Sequence, residues 1–279
     1  SAASDVYKRQ VIGGIKRISS VSQVVVPFMA VAYVVVVLII LLTHLGEIPG
    51  AFRTIIESAF GLRAAAGGAL GAVLIAMQKG IARGIFSNEA GLGSAPIAAA
   101  AALTDSPGQQ GLISMLGTFI DTIVICTMTG LSIVIAGTWN IGLEGVAVTT
   151  KAFQMTLPFP EQFSSFILMI CLVFFAFTTI LGWDYYGERC LEYLFNKNMK
   201  AVKAYRWLYI LCVFIGPYMT VAAVWNIADI FNALMAFPNL VALLALSKVV
   251  VKETKDFTAR LNVEEKNKLI VEGIKAENA

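Results

Sequence analysis

Several long stretches of this sequence contain no charged residue, and this feature limits the fold more than any other. A transmembrane helix needs about 20 mainly apolar residues, because it rises about 1.5 Å per residue through about 30 Å of hydrocarbon. Charge-free windows at or near that length are 18–46, 122–143, 162–183, 207–228 and 230–247. Charged residues make up 14% of the chain, against about 25% in soluble domains. The balance excludes a disordered chain, a nucleic-acid binder and a disulfide scaffold, and it predicts a polytopic membrane protein.

A sixth apolar stretch, 64–103, carries charge only at Lys79, Arg83 and Glu89. It is too long for one crossing and too short for two crossings with a loop. Neither residue alternation nor hairpin signals indicate a barrel, so the spans are expected to be helical. The sequence therefore predicts an all-α membrane protein with about six transmembrane helices, one of them broken.

Most charged residues lie in three short stretches, 1–17, 188–206 and 248–279. Loops on the cytoplasmic side of membrane proteins are enriched in Lys and Arg, and six crossings place these three stretches on one side. We therefore expect both ends of this chain to be cytoplasmic. The richer side has Lys16, Arg17, Arg189, Lys197, Lys200, Lys203, Arg206 and Lys248, whereas the other side has Arg53, Arg63 and Lys151.

The same distribution divides the chain into three parts. Residues 1–10 are polar, lack periodicity and join abruptly to the apolar segment after them, so they are interpreted as a possible non-native extension. Residues 11–251 are predicted to form the transmembrane domain. Residues 252–279 mix both signs of charge with few large apolar residues, which indicates either a solvated cytoplasmic helix or a disordered end.

The centre of the sixth stretch has a composition that opposes a continuous helix. Residues 84–96 read GIFSNEAGLGSAP, and each interior glycine costs about 1 kcal/mol and a proline about 3 kcal/mol. Ser94 precedes Ala95 and Pro96, a pattern typical of a helix N-cap before an Ala-rich helix. Non-helical backbone at membrane depth is tolerated where it lines a cavity or is buried in protein. The pattern thus indicates either a ligand-binding break of a transporter or a close-packed Gly-rich segment without a ligand.

This thirteen-residue motif resembles the signature of the alanine/glycine:cation symporters, the sodium:alanine symporter family. The resemblance extends over about residues 11–255, and four further stretches support it in order. They read SVSQVVVP at 20–27, IESAFG at 56–61, FIDTIVICT at 119–127 and ADIF at 228–231.

The resemblance implies secondary active transport of a small neutral amino acid, such as alanine or glycine, coupled to sodium or protons. It also implies the inverted repeats of the leucine-transporter-like fold. Members of the family are about twice as long, so this chain is expected to be a C-terminal fragment that does not transport alone. It would hold the fifth helix of the first repeat and all five helices of the second.

The expected partners are a small neutral amino acid, sodium and the lipid bilayer, with no nucleic acid. We expect no enzyme activity, because the single His44 has no metal-ligating or catalytic neighbours in the sequence, and no cofactor besides the co-transported ion. The alternative interpretation is a non-transporting membrane scaffold or assembly subunit. A scaffold explains the helices but not a Gly-rich polar break at the depth of the bilayer centre.

On the register of this family, residues 86–93 form the unwound centre of the sixth helix of the fold. Phe86 would then pack against the side chain of the substrate, and Ser87, Asn88 and Gly91 would bind its amino or carboxylate end. The resemblance also implies that Trp183, on the eighth helix, lines the substrate pocket.

Two adjacent hydroxyls, Thr178 and Thr179, lie in the apolar window 162–183. Taken alone, they are typical of threonines that bond back to the carbonyl four residues earlier. The family resemblance favours a second role, as sodium ligands, because the eighth helix of this fold carries paired hydroxyls that face the first helix.

The remaining ionisable residues at membrane depth are candidates for gating or coupling, since such groups are rare there. Lys79 and Arg83 lie one turn apart on one helix face. Asp121 is a candidate partner for either of them, and Glu89 is expected either to hold the unwound strand or to pair with Arg83. Asp229 is interpreted as an interfacial residue near the outer end of its helix.

Overall fold

A computed structural model of the chain describes residues 14–61 and 68–277, with side chains for 24–61 and 70–263. Every regular element in these ranges is helical, which confirms the all-α prediction. Residues 1–10, the possible extension, lie outside the described ranges. The α-helices are α1 (Gly14–Thr43), α2 (Ile48–Ala59), α3 (Ala69–Asn88), α4 (Ala95–Ala99), α5 (Pro107–Phe119), α6 (Thr127–Ile135), α7 (Val146–Thr156), α8 (Glu161–Leu194), α9 (Met199–Ile215) and α10 (Val221–Glu277). Short helices of other types are Leu45–Glu47, Ile120–Cys126, Thr138–Asn140 and Gly216–Tyr218.

The apolar core lies where α1, α7 and α8 meet. Val37, Ile40, Phe153 and Leu168 are buried there, and the Tyr33 ring stacks on Phe153 with ring centroids 6.0 Å apart. These side chains pack closely against one another, because large apolar groups from three helices meet at the same level. Most other large apolar side chains are exposed on the outside of the helices, as expected where lipid is the solvent.

Four helical segments are long and apolar enough to cross a membrane: Val24–Thr43, Pro107–Ile135, Glu161–Leu194 and Val221–Val263. The predicted count of six is thus supported for four segments. The other two expected crossings are the broken α3–α4 unit and α9. With 17 residues, α9 is shorter than the roughly 20 that a crossing needs.

The predicted windows 207–228 and 230–247 divide the chain at the wrong place. The helical structure instead breaks between Ile215 and Val221, around the short helix Gly216–Tyr218. Pro217 lacks a backbone N–H and so removes one intrahelical hydrogen bond there, which favours a break. A search for charge-free windows overlooks this break, because the Gly-Pro pair is uncharged.

The predicted window 122–143 starts too late. The segment begins at Pro107, capped by Ser106, whose Oγ accepts a hydrogen bond from the Gln109 N–H at 3.2 Å. It ends at Ile135 and contains a π-helical stretch, Ile120–Cys126. Such stretches occur often at functional sites, because the wider turn presents side chains and backbone groups at unusual angles.

Residues 252–277 of the predicted tail 252–279 are a direct helical continuation of α10. Of the two alternatives, helix and disordered end, the structure therefore shows the helix. The Phe257 side chain lies directly against Gly108 at the start of α5, where a Cβ atom on the glycine would be 2.5 Å from the ring. This contact fastens the far part of α10 to the beginning of the α5 span.

Candidate functional site

The predicted break in the sixth stretch is present between α3 and α4. The α3 helix ends at Asn88, and the chain then adopts left-handed backbone at Glu89 (φ 57°), Gly91 (φ 84°) and Gly93 (φ 84°). Only glycine takes such angles without steric cost, and Glu89 takes them as the C-terminal cap of α3. The non-helical residues are 89–94 rather than 86–93, so Phe86, Ser87 and Asn88 form the last turn of a helix.

The helix after the break differs from expectation in two respects. It is short, covering only Ala95–Ala99, although the sequence predicts a longer Ala-rich helix. Ser94 occupies the N-cap position, but its side chain makes no capping bond and instead donates to Glu89 Oε2 at 2.7 Å. Ser94 is fully buried, and its backbone has helical angles (φ −75°, ψ −42°) instead of the extended angles that let an N-cap oxygen accept from the first amides of a helix.

Hydrogen bonds fasten the end of α3 to the π-helical stretch. Ser87 Oγ donates to Asp121 Oδ2 at 2.7 Å, and Asn88 Nδ2 donates to Thr122 Oγ1 at 2.9 Å. The Asn88 side chain also accepts from the Ala90 N–H at 2.9 Å, which steers the chain into the break. In this structure Asp121 accepts from a hydroxyl, and the ion pair of Arg83 is with Asp229.

Arg83 pairs with Asp229 of α10, and this ion pair replaces the predicted Arg83–Glu89 pair. The guanidinium carbon lies 4.1 Å from the ring centroid of Trp225 and 5.7 Å from that of Phe86. The two aromatic rings themselves meet edge to face at 5.0 Å. Asp229, expected to be interfacial, thus joins α10 to α3 in a cluster that combines charge pairing with cation–π contacts.

Lys79 lies beside this cluster, on the wall of an open cavity of about 380 Å³. Arg83, Asp229, Trp225 and Glu144 also line the cavity. Arg83 Nη1 is buried and has no hydrogen-bond partner within the described part of the chain. The cavity therefore presents both signs of charge.

The two threonines of α8 have different surroundings. Thr178 is half-buried, and its hydroxyl bonds back to the carbonyls of Phe174 at 3.0 Å and Phe175 at 3.1 Å. Thr179 is exposed, and among the described residues its hydroxyl has no hydrogen-bond partner. The structure thus shows the back-bonded arrangement for Thr178 and leaves the Thr179 hydroxyl available.

Trp183 lies on the part of α8 that is close to the break. Trp183 is half-buried, lies one turn beyond Thr179 and meets Tyr186 edge to face at 5.7 Å. The Glu89 carboxyl is within electrostatic range of Tyr186, and α4 packs on α8. A Cβ atom on Gly93 would be 3.0 Å from the Asn239 amide oxygen of α10. The break region therefore lies close to both α8 and α10.

Two carboxylates of α8, Asp184 and Glu188, are buried, although the sequence does not predict them as site residues. Asp184 immediately follows the charge-free window 162–183, so it marks the boundary of a span rather than a part of it. Both are nonetheless buried where α8 packs on α9. Their spacing of four residues, which puts them on one helix face, is a signal that could have found them.

The break provides groups that suit a small polar ligand. The N–H groups of Gly91 and Gly93 have no acceptor within the described ranges, and Glu89 and Ser94 place a carboxylate and a hydroxyl beside them. Unwound backbone of this kind can bind the charged ends of an amino acid or a monovalent cation. Within the described residues, no group of three or more His, Cys, Asp or Glu side chains could hold a metal ion.

Comparison with curated proteins finds several transporters. The chain is 53% identical over 255 residues to an "Uncharacterized transporter" of Haemophilus influenzae, covering 91% of this chain and 55% of that protein. It is 49% identical over 261 residues to the "Sodium/alanine symporter AgcS" of Methanococcus maripaludis, covering 92% and 56%. It is 39% identical over 254 residues to the "Probable sodium/glutamine symporter GlnT" of Bacillus subtilis, covering 91% and 52%.

The chain spans about half the length of the curated relatives it matches. The sequence profile of the sodium:alanine symporter family matches residues 6–271, which include all the described helices except the last residues of α10. This match covers nearly the whole sequence and includes the break motif. The chain therefore belongs to the sodium:alanine symporter family.

Proposed function

We propose that the intact gene product carries out sodium-coupled symport of a small neutral amino acid, such as alanine or glycine, by alternating access. The observation that carries the proposal is the break at 89–94, which lies close to α8 and α10 and whose Gly91 and Gly93 amides have no acceptor among the described residues. Family membership supports it, since one relative is named a sodium/alanine symporter. Protons in place of sodium are the alternative coupling ion.

For the substrate, we assign the carboxylate to the N–H groups of Gly91 and Gly93. Two unpaired amides close together attract an anion, as a helix N-terminus does. Phe86 would pack against a small side chain through the part of its ring that Trp225 leaves uncovered, since Phe86 is 39% exposed. Ser87 and Asn88 form hydrogen bonds with the π-helical stretch, so we assign them the role of maintaining the conformation of the break. Trp183 would close the pocket from α8.

For sodium, we assign Thr179 as a side-chain ligand and Thr178 as its neighbour. Sodium prefers oxygen ligands, and hydroxyls and carbonyls suit its single charge. The Thr179 hydroxyl is exposed, whereas the Thr178 hydroxyl already bonds to two carbonyls of its own helix. We therefore expect Thr179 to contribute more than Thr178 to sodium affinity.

We assign Arg83 and Asp229 as a gate between α3 and α10. The pair crosses from the helix that carries the break to a separate helix, so a movement of α3 away from α10 requires the pair to separate. When the Arg83–Asp229 pair separates, Lys79 would form an ion pair with the Asp229 carboxylate, because Lys79 and Asp229 line the same cavity. Asp121 and Glu89 would couple the gate to the break through their bonds to Ser87 and Ser94.

We place the protein in the cell membrane of a bacterium or archaeon, with both ends of this chain cytoplasmic. The surplus of Lys and Arg in 188–206 and after 248 supports this orientation. Labelling a single introduced cysteine at Lys200 from outside intact cells tests it. A residue on the cytoplasmic side should react only after the cells are made permeable.

The decisive experiment is uptake of labelled alanine by proteoliposomes that contain the intact gene product. An inward sodium gradient should drive accumulation, and an equal gradient of potassium should not. Thr179→Val should raise the sodium concentration for half-maximal uptake about tenfold, since it removes one cation ligand. The matched variant Thr178→Val should change it by less than about threefold. Uptake that is indifferent to the sodium gradient would disprove symport, and equal effects of the two variants would remove Thr179 as a ligand.

A further inference from the structure

Asp184 is a fully buried carboxylate that has no partner for one of its oxygens. It lies on α8 and is 1% exposed, and its Oδ1 atom has no hydrogen bond to any residue in the described ranges. Glu188, one turn further along the same face, is also buried. Two carboxylates on one buried helix face require compensation, because an isolated charge is unstable away from water.

The nearest arginine is already engaged by Glu188. Arg206 of α9 donates from Nε to Glu188 Oε1 and from Nη2 to Glu188 Oε2, the latter at 2.9 Å. Arg189 donates to Glu192 at 2.7 Å, whereas its nearest approach to Glu188 is longer, at 4.0 Å. Each arginine therefore has its own glutamate. If every group in this cluster were ionised, Asp184 would leave one uncompensated negative charge.

The other surfaces that face α8 at this level supply no positive charge within the described side chains. From α9, Tyr205 lies against Gly187, and Tyr209 donates its hydroxyl proton to the Ile180 carbonyl at 2.9 Å. From the break, the acidic Glu89 faces Tyr186.

We propose that Asp184 is a proton-binding site of this transporter, occupied in the conformation described here and emptied when α8 and α9 separate. In that step the carboxylic O–H bond breaks, the proton passes to water, and a carboxylate remains. A proton suits the site better than a metal ion, because the enclosed oxygen has no set of ligands around it and a proton needs none. The presence of the proton is independent of the transport proposed above, whereas its release during the transport cycle rests on that proposal.

Infrared spectroscopy of the purified intact gene product in lipid nanodiscs tests the bound proton directly. The difference spectrum between the wild type and Asp184→Asn at neutral pH should contain the carbonyl stretch of a protonated carboxylic acid. A difference spectrum that contains only the two carboxylate stretches would overturn the proposal. Failure of amino-acid transport would not affect this measurement, so the two proposals fail separately.

A second pair of variants tests the charge argument without altering Asp184. Glu188→Gln should free Arg206 to neutralise Asp184. The infrared band of the protonated acid should then disappear at a pH at least about one unit lower than in the wild type, which is a tenfold change in proton concentration. The matched variant Glu192→Gln removes a carboxylate whose arginine is more exposed, and it should leave the titration unchanged. Equal titration in both variants would contradict the assignment, even if Asp184→Asn does not fold.

The release step predicts a pH dependence of transport. Because the conformation described here holds the proton, raising the pH should disfavour it and slow sodium-driven uptake in the wild type. Asp184→Asn is permanently neutral, so its uptake should depend less on pH. Identical pH profiles of wild type and variant would show that the proton is not released during transport.

Discussion

The core around α1, α7 and α8 and the break between α3 and α4 are held together by different forces. The core is apolar and enclosed, with Phe153, Ile40 and Leu168 at or near zero exposure. The break is held by polar bonds, such as Ser94 to Glu89 and Ser87 to Asp121, on left-handed backbone. Apolar packing is lost only when the helices separate, whereas a hydrogen bond can be exchanged for one to a ligand. The comparison indicates a rigid scaffold around an adaptable site.

The largest effect should come from opening a cavity in the core. Phe153→Ala removes a side chain of 0% exposure that stacks on Tyr33, and such changes cost about 3–5 kcal/mol. We expect a loss of that size in the free energy of unfolding, measured by denaturation of the detergent-purified protein. Phe166→Ala is the control, because Phe166 is 51% exposed on α8. Equal losses in the two variants would contradict the view that this cluster is the scaffold.

A smaller effect should come from the backbone of the break. Gly93→Ala places a Cβ on a residue with φ of 84° and brings it 3.0 Å from Asn239. Left-handed backbone costs about 1–2 kcal/mol for a residue with a Cβ, so we expect a destabilisation of that order and weaker alanine binding.

The control for this variant is Gly80→Ala in α3, where nothing lies within 4 Å of the new Cβ. In a helix interior, alanine is favoured over glycine by about 0.5–1 kcal/mol. The two glycine variants should therefore change the free energy of unfolding, and the affinity for alanine, in opposite directions. A stabilising Gly93→Ala would mean that the break is not fixed in the described conformation.

The sequence predicts the break better than it predicts the partners around it. Glycine and proline act on their own backbone, so the motif at 84–96 places the interruption to within a few residues. Ion pairs depend on which helices pack together, and Arg83 with Asp229 joins residues far apart in sequence. The sequence predicts that the Ser94 hydroxyl caps α4, but the backbone of Ser94 is helical, and its hydroxyl donates to the Glu89 carboxylate instead. A search for charge-free windows overlooks Asp184, because such a search treats every ionisable residue as the boundary of a span, whereas Asp184 is buried between α8 and α9.

The smallest effect should come from the contact between the break-bearing helix and α10. Arg83 and Asp229 are each more than a third exposed, and pairs of this kind contribute about 1 kcal/mol or less. A double-mutant cycle of Arg83→Gln and Asp229→Asn should give a coupling of about that size in unfolding. The same cycle in alanine uptake should show a larger coupling, because a gate must break and reform this pair in every transport cycle. If uptake shows no more coupling than unfolding, the pair is a static clamp between α3 and α10, and the adaptable part of the molecule is confined to residues 89–94.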